Sequence, residues 1–183
     1  MILIQQGNRP ACQELVNAHL PALNRFAARL LGNMSDAEDA VQDTFLKVWS
    51  HAYQWQPGKA KVTTWLHKIA HNTCVDRLRK SRADLHIEVS DRLPSREAGL
   101  AEHLSLSSES QRVFDSLNRL PVQQRTAIVL CHYQGFSNRE AAEILSVSVD
   151  ALESLLARGR RGLRQLLLPS GNNAMNTEEI PHE

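Results

Sequence analysis

The chain has 183 residues, 42% of them hydrophobic and 22% charged, with a formal net charge of +1. That length suits one ordinary domain or two small ones with thin cores, and the composition excludes an intrinsically disordered chain. Cys12, Cys74 and Cys131 lie far apart and form no CxxC pair, which argues against a disulfide framework or a zinc ribbon and fits a reducing cytoplasm. The opening MILIQQGNRP has no basic start, and no stretch approaches the roughly 20 apolar residues of a membrane span, so a protein neither exported nor embedded is expected.

The near-zero net charge hides an uneven distribution. Residues 63–82 carry Lys68, Arg77, Arg79, Lys80 and Arg82 against the single acid Asp76, and residues 158–164 carry four arginines and no acid. Between them, from Asp84 to Glu109, acids dominate, and Pro94, Gly99 and the serine-rich LSLSSES give the stretch the composition of a linker. The expected organisation is a first domain over 1–83, a linker over 84–108, a second domain over 109–168 and a polar tail over 169–183.

In chain order, Leu15, Leu23, Phe26, Leu30 and Leu31 recur at helical spacing. Pro21 either kinks that helix or starts a second one, and Gly32 is placed as a C-cap. Ser35 with Glu38 predicts a capping box for the next helix, whose apolar face is read as Ala40, Val41, Phe45, Val48 and Trp49. After the loop YQWQPGKAKV a third helix starts near Thr63 and runs through TWLHKIAHNTCVDRLRK. Beyond the linker, QRVFDSLNRL and PVQQRTAIVLCHYQG predict two more helices, with Pro121 suited to the first helical position and Gly135 closing the second. No strand pattern or internal repeat stands out, so the fold class is all-α, built from two small helical domains.

The stretch FSNREAAEILSVSVDALESLLARGRR carries a second capping-box pair, Ser137 with Glu140, then a cap at Ser148: the pattern of a helix-turn-helix. With Leu152 inward, 100° per residue puts Leu156, Gly159 and Leu163 on the same side, and turns Asp150, Ser154, Ala157, Arg158 and Arg161 outward with Glu153 at the edge. Small residues and arginines suit a helix seated in the major groove, and a glutamate can accept from cytosine N4. The same pattern also suits the solvated face of a bundle. Near the third helix, Trp55 offers a stacking surface and Lys59, Lys61 and Lys68 can track a single-stranded backbone. Trp65 reads equally well as core, and an acidic helix start on its own reads more readily as a complement to the helix dipole than as a binding face. His67, His71 and Cys74 share one helical face at metal-ligand spacing, but no fourth ligand lies nearby, and no metal or other cofactor is expected. With no phosphate-cradling loop, GxSxG turn or paired carboxylates, no enzyme and no small-molecule substrate are expected.

In its motifs the chain, over about residues 10–168, resembles the extracytoplasmic-function group of bacterial sigma-70 factors, which keep only regions 2 and 4. SDAEDAVQDTFLKVW matches the family's acidic start and D-x-x-Q-[DE]-x-F; TTWLHKIAHNTCVDRLRK is similar to its strand-opening helix; LNRLPVQQR carries its L-P-x-x-x-R. The resemblance implies core RNA polymerase as partner, through the β′ clamp helices and β flap, with Asp36, Asp39, Gln42 and Asp43 on the core-binding surface. It implies −10 promoter binding by Trp55, Lys59, Lys61, Trp65, Lys68, His71, Asn72, Arg77 and Arg79, and −35 binding by Ser148, Asp150, Glu153, Ser154, Ala157, Arg158 and Arg161. It further implies control by an anti-sigma factor, membrane-anchored or not. Ser146 departs from the glycine usual at the turn, and Glu153 and Leu155 stand where basic residues are frequent, which puts the −35 sequence in doubt. A stand-alone helix-turn-helix regulator and a sigma mimic that titrates an anti-sigma factor are the alternatives. The acidic linker, through Glu88, Asp91 and Glu97, is a candidate to fold back over the basic faces.

Overall fold

The structure, a computed structural model, describes the backbone of residues 1–87 and 107–168, and the side chains of 1–81 and 107–168. The candidate linker contacts of Glu88, Asp91 and Glu97, and the tail, lie outside the described residues. Among those described there is no strand. The helices are α1 (Ile2–Gln5), α2 (Arg9–Leu31), α3 (Met34–His51), α4 (Val62–Ile87), α5 (Ser108–Asn118), α6 (Val122–Ile128), α7 (Asn138–Leu145) and α8 (Val149–Leu167). A 3₁₀ turn, Ala52–Gln54, follows α3, and a π turn, Val129–Tyr133, continues α6.

Pro21 neither ends nor restarts a helix: α2 runs through it. The ring lies on the exposed side, while Leu23, Phe26 and Leu30 beyond it are fully buried, so packing outweighs one missing backbone bond. At Gly32 the chain turns off in the left-handed region, φ 80°, as a C-cap should. The expected Ser35 cap is displaced by two residues. Asn33 is extended, φ −148° and ψ 157°, and its Oδ1 accepts from the Asp36 backbone N–H at 2.7 Å, leaving Ser35 inside the helix. Pro121 similarly sits one position early, as the N-cap residue, its carbonyl accepting from the Arg125 N–H at 3.0 Å.

In the helix-turn-helix the local predictions hold. Ser137 and Glu140 form both bonds of the capping box, Ser148 Oγ accepts from the Ala151 N–H at 3.1 Å, and Ser146 makes the turn at φ 56°. Gly159 is required by packing: a Cβ there would lie 2.7 Å from Ile128 Cδ1 and 3.3 Å from the Gln124 carbonyl, so its absence lets α8 close on α6. Leu155, despite its place in the basic motif, is buried with Leu152 and Leu156. Each such leucine contributes about 1.5–3 kcal/mol by leaving water, which is what holds the hairpin shut.

The two halves pack on each other. Arg125 of α6 reaches the Leu30 carbonyl of α2 at 2.7 Å, Gln134 Nε2 donates to the Ala22 carbonyl at 3.3 Å, and the Arg29 guanidinium lies 4.5 Å over the Tyr133 ring. His67 of α4 is buried edge-on between Phe26, 5.2 Å away, and Phe136, 4.7 Å away. No helix among the described residues is long and apolar enough to cross a membrane.

Candidate polymerase and nucleic-acid interface

Three faces can be built from the side chains. On α3, residues three and four apart form an outward stripe of Ser35, Asp39, Gln42, Leu46 and Trp49, all exposed. Asp36 and Asp43 are half-buried beside it. Asp36 Oδ2 accepts from Asn33 Nδ2 at 2.6 Å, and Asp43 pairs with Arg77 at 2.5 Å, with Asp39 3.5 Å from the same guanidinium. The Asp43 hydrogen bond, with help from Asp39 and Asp36, pushes the Arg77 pKa up, so its charge is committed to this acidic face. Trp49 was expected inward; it is 42% exposed, tilted against Phe45 at 6.4 Å. Leu46 and Trp49 extend the polar stripe with apolar surface that the motif reading missed. The signal was available, since Leu46 and Trp49 fall four and seven residues after Gln42.

The second face is the outward side of α4 with the loop before it. Trp65 and Lys68 are half-buried, Asn72 and Arg79 exposed, one to two turns apart, and Lys59 and Lys61 stand exposed in the loop. Trp65 also packs against the core, so it serves both readings. His71 does not join this face. It is 8% exposed, its Nδ1 has no partner among the described residues, and burial lowers its pKa to about 4. One step of 100° from Asn72 turns it inward, which the motif alone could not weigh against its neighbour. Arg77 likewise faces the α3 acids, not a backbone-tracking groove. Arg79 pairs with Asp76 at 3.2 Å but stays largely in water. Cys74 is buried, which drives its thiol up to about 12, and His67 is held by Phe26, Phe136 and a 2.8 Å bond from Nδ1 to the Thr63 carbonyl. Among the described residues no three His, Cys, Asp or Glu side chains gather as a metal site.

The third face is α8. Ser148, Asp150, Glu153, Ser154, Ala157, Arg158 and Arg161 are all exposed, while Leu152, Leu156 and Gly159 are buried beneath them. Asn138 Nδ2 donates to Glu153 Oε1 at 3.3 Å and so restrains the carboxylate from the start of α7. The loop of the second face reaches the helix-turn-helix through an ion pair: Lys61 Nζ lies 2.9 Å from Glu140 of α7. Lys61 and the Ser137 hydroxyl and backbone N–H hold the Glu140 carboxyl near a pKa of about 2.

A bundle with an acidic-to-apolar stripe, a basic helix beside a tryptophan-bearing loop, and a helix-turn-helix has the parts of a promoter-reading factor. The Sigma-70 region 2 family matches residues 15–83 and the Sigma-70, region 4 family residues 110–163. The RNA polymerase sigma factor NccH of Alcaligenes xylosoxydans xylosoxydans is 36% identical over 171 residues, covering 90% of this chain and 91% of that protein. The extracytoplasmic-function RNA polymerase sigma factor SigE of Mycolicibacterium smegmatis is 34% identical over 88% of this chain; the chain spans 63% of that longer relative. Among solved structures, CnrH in complex with the cytosolic domain of CnrY superposes with a TM-score of 0.70 at 31% identity, over 91% of this chain and 93% of that one. The sigma factor RpoE of Bartonella quintana, in complex with the anti-sigma factor NepR, gives 0.69 at 29% identity, over 85% and 95%. The chain belongs to the extracytoplasmic-function group of the sigma-70 family, factors of transcription initiation that are not enzymes.

Proposed function

We propose that this sigma factor docks on core RNA polymerase through α3 and reads promoters in two places, the −10 element with α4 and its preceding loop and the −35 element with α8. The observation that carries this is the α8 face: seven predicted contact residues, Ser148 to Arg161, stand exposed together above a leucine base. Two arginines on it supply phosphate or guanine contacts, and Ser154 and Ala157 let the helix sit deep in the groove. On α3, Asp39 and Gln42 give polar register to the β′ clamp helices while Leu46 and Trp49 supply a desolvating anchor of the kind that dominates binding energy. On the −10 side, Trp55 and Asn72 meet unstacked bases, and Lys59, Lys61 and Lys68 follow the strand. Two weak DNA contacts on one polymerase raise each other's effective concentration, so neither needs high affinity alone. The protein acts in the cytoplasm, and an anti-sigma factor controls it, a reading supported by the complexes in which CnrH and RpoE were solved. Run-off transcription with purified core polymerase on a promoter library tests this. New start sites sharing two spaced elements are expected; DNA binding by the chain alone with no new starts would overturn it in favour of a stand-alone regulator.

A further inference from the structure

The segment α1 lies before the family match, which begins at residue 15. It is nevertheless folded onto the body. Ile4 is buried, Met1 packs against the core, and the Asn8 N–H bonds the Leu3 carbonyl at 3.0 Å as Gly7, φ 75°, reverses the chain. This brings Gln5 to the far end of α3. There its Nε2 donates to the Ala52 carbonyl at 2.8 Å and to the Trp55 carbonyl at 3.0 Å. A primary amide has two N–H donors, and both are spent on the two ends of one turn. The Ala52 carbonyl also accepts from the Trp55 N–H at 3.1 Å, so Gln5 closes a turn already begun.

Trp55 is the residue where the chain leaves that turn, with extended φ −73° and ψ 128°, to start the loop towards Lys59 and Lys61. Its indole Nε1 is buried and has no partner among the described residues, so no hydrogen bond of its own sets the ring's position. The backbone must therefore place the ring, and Gln5 is the side chain that holds the backbone there. We propose that Gln5 is a positioning residue for −10 recognition: its amide pins the Ala52–Trp55 turn and so sets where the Trp55 indole meets an unstacked base.

This rests on the reading of the Trp55 loop as part of the −10 surface, and the test separates the two. Full-length variants are assembled with core polymerase and measured for binding to a fluorescent non-template-strand −10 oligonucleotide and for base preference across a randomised −10 element. Gln5→Ala is expected to weaken oligonucleotide binding about tenfold, on the scale of two lost hydrogen bonds, and to flatten the −10 preference. Core affinity and −35 duplex binding stay near those of the parent, and the melting temperature falls only by what two lost hydrogen bonds cost. Gln5→Glu, which keeps the volume but faces two carbonyls with a carboxylate, is at least as impaired. If Trp55→Ala abolishes the preference and Gln5→Ala leaves it intact, the role of Gln5 is overturned while the loop reading stands. If Trp55→Ala changes nothing, both fall. A parallel loss of stability, core binding and −35 binding in Gln5→Ala would make it structural only and would also overturn the proposal.

Discussion

Arg125 Nη1 lies 2.7 Å from the carbonyl oxygen of Leu30, 95 positions earlier, so a residue of the region 4 signature L-P-x-x-x-R caps the last turn of a region 2 helix. The same nitrogen also donates to Asn118 Oδ1 at 2.8 Å, and Nη2 lies 3.4 Å from the Leu120 carbonyl. Arg125 as a whole is 6% exposed. Arg125→Ala is expected to lose stability on the order of 1–3 kcal/mol, because it strands buried acceptors, and to turn one urea-unfolding transition into two as the halves uncouple. Arg125→Lys recovers little of this, since an ammonium cannot span the fork. Circular dichroism and tryptophan fluorescence followed together in urea check it.

The Lys61–Glu140 contact sets a proposed −10 cation against the helix-turn-helix. Glu140→Gln keeps the capping-box oxygen while removing the charge that engages Lys61. Affinity of the free protein for single-stranded −10 DNA is expected to rise about 1.4- to fivefold at low salt, given the ~0.2–1 kcal/mol of a surface pair, and the gain shrinks as salt screens it. A gain that persisted unchanged in high salt would speak against the ion pair as its cause.

For Glu153, held by Asn138 at 3.3 Å, replacement by Ala should relax base preference at the −35 element. Stability changes by no more than about 0.5 kcal/mol, since the side chain is exposed and only one weak bond is lost. Selection from a randomised −35 library reads the preference, and thermal melting reads the stability.

Burial of His71 produces a pH dependence of defined sign. Its folded pKa of about 4 lies below the ordinary 6.5, so the unfolded chain takes up the proton first. The contribution is fully present above pH 6.5 and is lost as pH falls towards 4, amounting to about 3 kcal/mol at the lower end. His71→Leu should remove that part of the loss, visible as a flatter urea midpoint between pH 6.5 and 4 than in the parent.

Ser146 holds a left-handed conformation, φ 56°, at the corner between α7 and α8. Relief of the side-chain strain outweighs the extra freedom of the unfolded glycine chain, so Ser146→Gly should stabilise by about 0.5–1 kcal/mol. A rise in melting temperature with unchanged −35 binding is the expected result.

Much was legible before any coordinates, because it depends on neighbours in sequence. The helix-turn-helix caps at Ser137 and Ser148, the inward Leu152–Leu156–Gly159 stripe and the outward α8 face follow from side-chain chemistry and a 100° step, and the structure reproduces each. The same rules misplaced the α3 cap, where Asn33 and Ser35 are both good cap residues two positions apart and only the extended backbone of Asn33 decides. They could not place His71 or Arg77, because which side of a helix meets water depends on partners distant in the chain, whereas the spacing of Trp49 from Gln42 did carry its outward placement. The burial of His71 and the capture of Arg77 by Asp39 and Asp43 come from how α2, α3 and α4 pack. Nor could spacing show that Gln5 reaches Ala52 and Trp55, or that Arg125 reaches Leu30, since hydrogen bonds between distant residues carry no local periodicity. Local chemistry specified the helices and their outward faces; the tertiary packing alone decided which polar side chains remain exposed.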